Sequence, residues 1–364
     1  MPADAIRIEM LPARMGDCIL VECLRRRGDP WRLLVDGGPP DTWPLLRERL
    51  TRLADNDQQV DVAVVTHIDS DHIGGMVPLL GDDVARSMVR DVWFNGAPHL
   101  PAPVRERDRS VTQGEVVGTA ILGSHGQRAL PWNSAFGDAA IDVGDTGGLV
   151  RLTVPDGPVV TVLSPTTKRL TTLGRKWRQT LEAAATGPDE RDRELDTPSP
   201  LTELAPLSEQ RSSADGSAPN GSSIALLLEH RGASVLLAAD AFGSVLTAGL
   251  SALAHERGVD AVTVDAVKVP HHGSRANVSQ ALVRAVPARH YLVSTNGDIF
   301  HHPDDEAIAR IVVDAPDGAT VWFNYRTPRT ERWDDVQLRA EHHYDVRYPT
   351  DDTSGVVLTL PARD

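Results

Sequence analysis

Short apolar runs separated by turn-forming residues recur along the chain and predict many β-strands. These runs occupy residues 5–10, 17–23, 31–35, 60–65, 92–94, 159–163, 224–229, 234–238, 264–269, 290–294 and 355–360. Apolar positions at helical spacing occur in residues 41–53, 169–185 and 242–257. Pro303, followed by three acidic residues, predicts the first turn of a further helix. The first three strands are close together in sequence, which is typical of an antiparallel meander.

Residues 166–217 differ from the rest of the chain in composition. Their first part is predicted to be helical, whereas residues 187–218 are rich in Pro, Ser, Asp and Glu. We interpret 166–217 as an insertion, partly helical and then flexible, in a chain of one domain spanning residues 1–364. A solvated loop is the simplest interpretation, and a lid or specificity element is the alternative.

Composition limits the class of protein. The 364 residues are 41% hydrophobic, which is enough for a substantial core, and no apolar stretch approaches the roughly 20 residues that a membrane helix needs. The first residues do not resemble a secretory signal, so we expect a cytoplasmic protein that does not bind membranes. Cys18 and Cys23, the only cysteines, are expected to face opposite sides of one strand as reduced thiols.

The net charge of −14 disfavours a protein that grips nucleic acid by electrostatic attraction alone. It does not exclude a nuclease, because bound metal ions reverse the field locally. Basic clusters at residues 25–27, 105–109 and 175–178 are interpreted as solvated surface charge.

The segment His67-Ile68-Asp69-Ser70-Asp71-His72 concentrates metal-binding side chains directly after an apolar run. A strand ending there delivers His67 to the carboxyl edge of a sheet, where open α/β sheets place their ligands. If the chain continues extended, His67, Asp69 and Asp71 share a face, and a curl after Asp71 lets His72 join them. Such nitrogen and oxygen donors suit zinc, manganese or iron. A polar loop without ligands is the alternative.

In each half of the chain, an acidic residue follows one strand and histidines follow the next strand. In the first half Asp36 follows one strand and His67 follows the next, while in the second half Asp240 and then His271-His272 do so. Two halves with the same order indicate a metal centre.

Together these residues resemble the metallo-β-lactamase superfamily. The resemblance rests on Asp36-Gly37-Gly38, the motif of residues 67–72, Asp240 and the segment Lys268-Val269-Pro270-His271-His272-Gly273-Ser274. Within the superfamily the chain is most similar to the branch containing the C-terminal nuclease-like domain of the competence protein ComEC. The resemblance covers nearly the whole chain except the insertion, and it implies an α/β fold, namely an αββα four-layer sandwich of two mixed sheets with a dinuclear metal site at one edge.

The resemblance also implies the roles of individual residues. The implied ligands of two divalent ions, Zn or Mn, are His67 and Asp69 for the first ion, Asp71 and His72 for the second, Asp240 between them, and one of His271 and His272 to complete the second site. The residues implied to orient ligands or contact substrate are Asp36, Asn220, Ser222, Lys268 and Ser274. Asp71, Asp240 and His302 are the implied catalytic residues.

Two departures from the usual pattern of the superfamily change the expected metal and substrate. Asp69 stands where a histidine is usual, and the region of Asn220, Ser222 and Ser223 lacks a further histidine. Oxygen donors in their place let manganese or magnesium compete with zinc.

A water or hydroxide bridging two such ions hydrolyses phosphodiesters, and equally esters, thioesters or amides. We favour a phosphodiesterase or nuclease acting on nucleic acid or another phosphodiester. The alternatives are another hydrolase and a partner-binding module with weak activity.

Three smaller hypotheses concern His302, Ser274 and the basic residues of the insertion. His302 either caps the helix predicted at Pro303 or serves the site as a proton donor or phosphate contact. Ser274 lacks the surroundings of a nucleophilic serine and is expected to orient a neighbouring histidine. Arg169, Arg175, Lys176 and Arg178 of the insertion either bind an anionic substrate or are solvated. The natural substrate, a protein partner and the oligomeric state stay open.

Overall fold

The computed structural model describes residues 4–101, 113–123, 129–146, 148–186, 198–351 and 354–363. Its strands are β1 (Asp4–Met10), β2 (Ile19–Cys23), β3 (Trp31–Val35), β4 (Val60–Val65), β5 (Val89–Phe94), β6 (Val150–Thr153), β7 (Val159–Ser164), β8 (Ala225–His230), β9 (Ala233–Leu237), β10 (Val264–Lys268), β11 (Ala288–Val293), β12 (Thr320–Phe323), β13 (Asp345–Arg347) and β14 (Val356–Pro361). Its α-helices are α1 (Trp43–Ala54), α2 (Ser70–Ile73), α3 (Met76–Gly81), α4 (Asp83–Ser87), α5 (Gln113–Leu122), α6 (Thr167–Thr186), α7 (Leu204–Glu209), α8 (Ala218–Gly221), α9 (Gly243–Arg257), α10 (Gln280–Ala285), α11 (Asp305–Asp314), α12 (Pro328–Glu331) and α13 (Val336–Glu341).

The strands form two mixed sheets. The first has the order β14-β1-β2-β3-β4-β5, in which β3 pairs in parallel with β4 and β4 with β5, while the other neighbours are antiparallel. The second has the order β13-β12-β11-β10-β9-β8-β7-β6, parallel from β13 to β9 and antiparallel from β9 to β6. Each sheet therefore contains neighbouring parallel strands whose carboxyl ends lie at one edge.

Three buried apolar clusters show how the layers stack. One lies between the sheets and joins residues such as Ile8 and Val64 of the first sheet to Leu226 of the second. A second covers the other face of the first sheet with α1, α3, α5 and α6, and a third covers the second sheet with α7, α9, α10 and α11. The predicted αββα sandwich is confirmed.

The predicted strands agree with the structure to within a few residues. Those at 31–35 and 60–65 have the predicted bounds, whereas the strand predicted at 17–23 begins two residues later, at Ile19. Cys18 and Cys23 are free and buried, and they belong to different clusters on opposite faces of the first sheet, as expected. Among the described residues, no helix is both long enough and apolar enough to cross a membrane.

Two local predictions were wrong. The chain does not stay extended through Asp71, because α2 begins at Ser70, directly after Asp69. Pro303 is not the first residue of a helix either: α11 begins at Asp305 with Asp304 as its N-cap residue. His302 therefore lies outside the helix and does not cap it.

The described part of the second half of the insertion, residues 198–217, contains a helix that the sequence did not predict. Helix α7 lies there, and its Leu204 and Leu207 are buried in the core cluster of the second sheet. The buried guanidinium of Arg310 on α11 donates to the carbonyls of Ser208 and Gln210 and fixes the end of this helix. Residues 187–197 and the basic cluster at 105–109 lie outside the described residues.

In the first half of the insertion, the predicted helix is present as α6. Its Leu170, Leu173 and Trp177 pack into the core of the first sheet. Arg175 and Lys176 are exposed on the same helix. The insertion thus contributes apolar surface to both outer layers of the sandwich.

Candidate metal centre

The candidate metal centre forms where the carboxyl ends of two pairs of parallel strands meet. In the first sheet Asp36 follows β3 and His67 follows its neighbour β4. In the second sheet Asp240 comes shortly after β9, and the His271-His272 pair after its neighbour β10. The predicted two-fold order of acids and histidines thus brings residues 200 positions apart into contact, as the 3.2 Å between the Nε2 atoms of His72 and His272 shows.

Close packing of glycines allows the motif loop to approach the loop after β3. Gly75 lies so near Gly37 that a Cβ atom on it would come within 2.1 Å of the Gly37 carbonyl oxygen. The Gly37 N–H donates to the carbonyl of His72 at 2.9 Å. Gly74 and Gly75 therefore allow close packing of the two loops and do not form a left-handed turn.

The Asp36 carboxylate fixes the two histidines of the motif. It accepts hydrogen bonds from the Thr66 N–H (2.8 Å), from the Thr66 hydroxyl (2.6 Å) and from His72 Nδ1 (2.8 Å). Because the Thr66 hydroxyl donates to Asp36, it accepts from His67 Nδ1, which lies 3.0 Å away. In both rings Nδ1 therefore carries a proton and Nε2 faces the centre, as in metal-ligating histidines.

A backbone carbonyl fixes a third histidine in the same way. His272 Nδ1 donates to the Ser294 carbonyl, 2.7 Å away at the end of β11. Its Nε2 atom lies 3.5 Å from the Asp71 carboxylate and 3.7 Å from Oδ1 of Asp240. The side chain of His272 is 1% exposed, so the protein and not solvent determines its orientation.

Asp240 is the common neighbour of the imidazoles. Its Oδ2 atom lies 3.4 Å from His72 Nε2, 3.7 Å from His271 Nε2 and 4.0 Å from His67 Nε2. Asp69 is closest to His67, at 3.5 Å from its Nε2. Among the described residues, ligand-type atoms within 4.8 Å of one another form four overlapping triads, and two of them contain only predicted ligands: His67, His72 and Asp240, and Asp71, His72 and His272.

The residues present fit a divalent cation. His67 Nε2 and Asp240 Oδ1 are buried and have no hydrogen-bond partner. A buried polar atom without a partner costs free energy that a cation at this place would recover. Oxygen and imidazole donors are also those that zinc and manganese accept.

The pKa values of the centre show how strongly its groups interact. Burial alone would lower the pKa of His72, but the carboxylates of Asp240 and Asp71 outweigh burial and raise it well above the ordinary value. Burial raises the pKa of Asp71, but His72 and His272 lower it by more, so that its pKa is about 2. The pKa of Asp240 is held well below its ordinary value, since His72, His272 and His271 overcome its burial. A cation that binds here replaces protons on the imidazoles.

Asp17 is a central residue that sequence analysis missed. It lies fully buried in the loop before β2, forms a short ion pair with Lys268, and has Oδ1 3.5 Å from His272 Nδ1. Lys268, which is 1% exposed, also lies 3.8 Å from Oδ1 of Asp240. Gly16, which precedes Asp17, allows this loop to approach the motif, because a Cβ atom on it would meet the Asp71 carbonyl oxygen at 1.8 Å.

The other predicted site residues lie nearby, but not all in the predicted role. Asn220 donates to Asp215, a residue of the insertion, at 2.8 Å. The hydroxyl of Ser222 donates to the carbonyl of Pro219 in its own turn. Ser274 was expected to orient a histidine ring, whereas its hydroxyl accepts from the Ala276 N–H and only its backbone N–H contacts a histidine, at the His271 carbonyl.

His302 lies beside the centre. Its ring centroid is 5.3 Å from that of His271, and its Nδ1 atom is 3.6 Å from the Asp304 carboxylate. Burial lowers the pKa of His302 below its ordinary value, and Asp304 only partly offsets this effect. The ring is therefore neutral at pH 7 and able to donate or accept a hydrogen bond.

Comparisons with known proteins agree with this architecture. The model of the metallo-beta-lactamase superfamily matches residues 11–170, which contain β2 to β7 and the motif of residues 67–72. The match supports this superfamily, whose members are typically hydrolytic metalloenzymes. A comparison of the chain with curated proteins gives no match.

Several solved structures are similar to the chain over nearly its whole length. The metallo-beta-lactamase fold protein YhfI from Bacillus subtilis is 11% identical, with 98% of this chain and 100% of that chain covered and a TM-score of 0.43. Zn(2+)-bound PqqB from Methylobacterium extorquens is 10% identical, with 97% and 100% covered and a TM-score of 0.41. A diphosphatase from the PhnP family is 12% identical, with 98% of each chain covered and a TM-score of 0.39. With TM-scores below 0.5, these similarities carry no argument about activity.

Proposed function

We propose that the protein is a metal-dependent hydrolase of phosphodiester bonds that uses two divalent ions, Zn or Mn, with nucleic acid as one substrate class. The observation that carries the proposal is the orientation of the imidazoles. His67, His72 and His272 each use Nδ1 in a hydrogen bond within the protein and direct Nε2 towards Asp240 or Asp71. A purely structural histidine has no need for this arrangement.

The residues fit a division into two neighbouring sites. Asp71, His72 and His272 would hold one cation, His67 and Asp69 the other, and Asp240 would contact both. When bound, such cations lower the pKa of a water molecule and stabilise the negative charge that develops on the attacked group. The protein's own part is to fix the rings through Asp36, Thr66 and Ser294 and to exclude solvent behind them.

Two features favour phosphodiesters over other substrates. Asp69 makes the first site richer in oxygen than the usual superfamily pattern, which favours manganese alongside zinc. The segment of residues 268–274 resembles the nuclease-like ComEC branch. His302 would contact a phosphate oxygen: its neutral ring lies beside His271 at the same edge of the centre.

Hydrolysis assays with defined metals test the proposal. Bis-p-nitrophenyl phosphate, single- and double-stranded DNA and RNA, and cyclic nucleotides would be incubated with the metal-free chain after addition of Zn²⁺, Mn²⁺ or Mg²⁺. We expect turnover that is lost in Asp240→Ala and His67→Ala but kept in Asp91→Asn, which alters a buried aspartate on β5 that bonds Trp93 and Ser134 instead. Metal content by elemental analysis accompanies each variant.

Other outcomes would contradict the proposal. Turnover of esters, thioesters or amides with all phosphodiesters untouched would identify another hydrolase. Metal binding without any turnover, together with a copurifying protein, would indicate a partner-binding module. Equal activity in wild type and Asp240→Ala would show that the measured activity comes from a contaminant.

A further inference from the structure

The backbone at the His271-His272 pair is strained in a way that serves both rings. His271 has φ 46° and ψ 52°, and His272 has φ 53° and ψ 18°, so two consecutive non-glycine residues are left-handed. Such conformations persist only where surrounding contacts impose them, and they concentrate at functional sites. Here they direct the two rings to different oxygens of one carboxylate: His271 Nε2 lies 3.7 Å from Oδ2 of Asp240, and His272 Nε2 lies 3.7 Å from Oδ1.

A polar network holds the far side of the His271 ring. Its Nδ1 atom lies 3.0 Å from the side-chain oxygen of Asn277 and 3.5 Å from the Asp215 carboxylate, so this nitrogen donates. Asp215 in turn accepts from the amides of Asn220 (2.8 Å) and Asn277 (3.1 Å). His271 is therefore prepared as the other three imidazoles are, with Nδ1 used within the protein and Nε2 free to bind.

We propose that both histidines of the pair bind metal: His272 completes the site of Asp71 and His72, and His271 completes the site of His67 and Asp69. This inference rests on the proposed dinuclear centre and assigns the fourth imidazole within it. His67, His72 and His271 all face Oδ2 of Asp240, at 4.0 Å, 3.4 Å and 3.7 Å, but of these three only His72 also lies within 4.0 Å of the Asp71 carboxylate, at 3.8 Å. His67 and His271 therefore lie at the end of the centre away from Asp71.

The assignment accounts for the imidazole that the chain lacks near Asn220. The amide nitrogen of Asn220 donates to Asp215, so Asn220 supports the carboxylate that faces His271. Its side-chain oxygen is buried without a hydrogen-bond partner. The insertion then has a defined function, since Asp215 within it is the positioning residue of the first site.

Metal titrations of single variants test the assignment without reference to activity. The metal-free chain would be titrated with Co²⁺ by calorimetry, and the visible spectrum of the bound ions recorded. Wild type should bind two ions. His271→Ala should bind the ion of the His67 and Asp69 site at least about 10-fold more weakly and keep the other ion with unchanged affinity. His272→Ala should weaken the ion of the Asp71 and His72 site by the same factor and keep the first ion. The double variant should bind neither tightly, and His255→Ala, which alters an exposed histidine on α9, should match wild type.

Variants of Asp215 test the positioning role even if His271→Ala fails to fold. Asp215→Asn should weaken only the ion lost in His271→Ala, by about 10–100-fold, and Asp215→Glu should restore part of the affinity. The assignment is overturned if His271→Ala or Asp215→Asn binds both ions as wild type does, or if His271→Ala and His272→Ala lose the same ion. A chain that binds two ions as described but cleaves no phosphodiester would refute the proposed function and leave this assignment standing.

Discussion

Replacing Asp36 by asparagine removes one oxygen from the centre of a hydrogen-bond network without changing its shape. Oδ2 of Asp36 accepts from the Thr66 hydroxyl and from His72 Nδ1, and Oδ1 accepts from the Thr66 N–H. In Asp36→Asn the amide oxygen can keep only one of these positions. If it stays with the Thr66 N–H, the amide NH₂ faces two donors. The hydroxyl of Thr66 can rotate away, but Nδ1–H of His72 is left without an acceptor.

The expected effect follows from the proton that His72 keeps when a cation binds. The raised pKa of His72 leaves protons on both of its nitrogens in the metal-free chain, and a cation displaces the one on Nε2, which lies 3.4 Å from Asp240. The proton left on Nδ1 then faces the amide NH₂ of the variant, which destabilises the metal-binding tautomer. Loss of such an orienting partner typically weakens metal affinity about 10–100-fold, or about 1.4–2.8 kcal/mol. The free energy of unfolding of the metal-free chain should also fall by about 1–3 kcal/mol, because a buried donor loses its acceptor.

Calorimetric titration with Zn²⁺ or Mn²⁺ and urea unfolding in the presence of a chelator measure the two effects separately. Asp91→Asn is the matched control, since Asp91 is 7% exposed and accepts hydrogen bonds from Trp93 on β5 and from Ser134 in a later loop. It should lose stability but bind metal as wild type does. An Asp36→Asn variant with wild-type metal affinity would refute the reasoning that Asp36 sets the tautomer of His72.

Three further predictions concern the core, the pH dependence and the insertion. Leu207→Ala should lower the free energy of unfolding by about 2–5 kcal/mol in urea, and a change below about 1 kcal/mol would mean that residues 204–209 are not part of the core. Burial lowers the pKa of His271, but Asp240 and Asp215 raise it, to about 9, so a cation must displace a proton at neutral pH. Calorimetric Co²⁺ affinity should therefore rise about tenfold per pH unit between pH 6 and 8 for each proton displaced, whereas a flat profile would contradict this. Neutralising Arg175 and Lys176 should raise KM for a polyanionic substrate more than for a small one, and equal effects would leave α6 without a role in substrate binding.

The part of the centre that sequence could predict is the part with a local pattern. His67, Asp69, Asp71 and His72 lie within six positions after a strand, and two strands with the same order of acid and histidine precede Asp240 and the His271-His272 pair. Parallel strand ends meet at one edge of a sheet whatever the connecting sequence, so these positions could be inferred from chain order alone.

The supporting residues could not be predicted in that way. Asp17, Asp215 and the Ser294 carbonyl contact the histidines from segments whose sequence carries no metal-binding pattern. A single aspartate in a loop reads the same in the sequence whether it is buried at a metal centre or exposed, and every residue has a backbone carbonyl. Only the packing of the two sheets brings these groups together.

Helix α7 of the insertion could not be predicted from composition, for a related reason. Helix α7 has six residues, and its two buried leucines are diluted by the polar residues on both sides. Its burial depends on Arg310, about 100 positions later in sequence, whose guanidinium binds the helix end. Averages over a window of sequence cannot contain such a contact.

The charge of the centre decides how an acidic chain can act on an anionic substrate. Five aspartates lie at the centre, and the Lys268 ammonium and the protonated imidazoles of His72 and His271 offset only part of their charge: Asp17, Asp36, Asp69, Asp71 and Asp240. Buried charges are screened by salt far less than surface charges, whose field decays over about 8–10 Å. Without cations a phosphate group would meet this local excess of negative charge, whereas two divalent ions reverse its sign. If the protein hydrolyses phosphodiesters as proposed, their binding depends on metal occupancy, and the net charge of −14 on the whole chain has little influence on it.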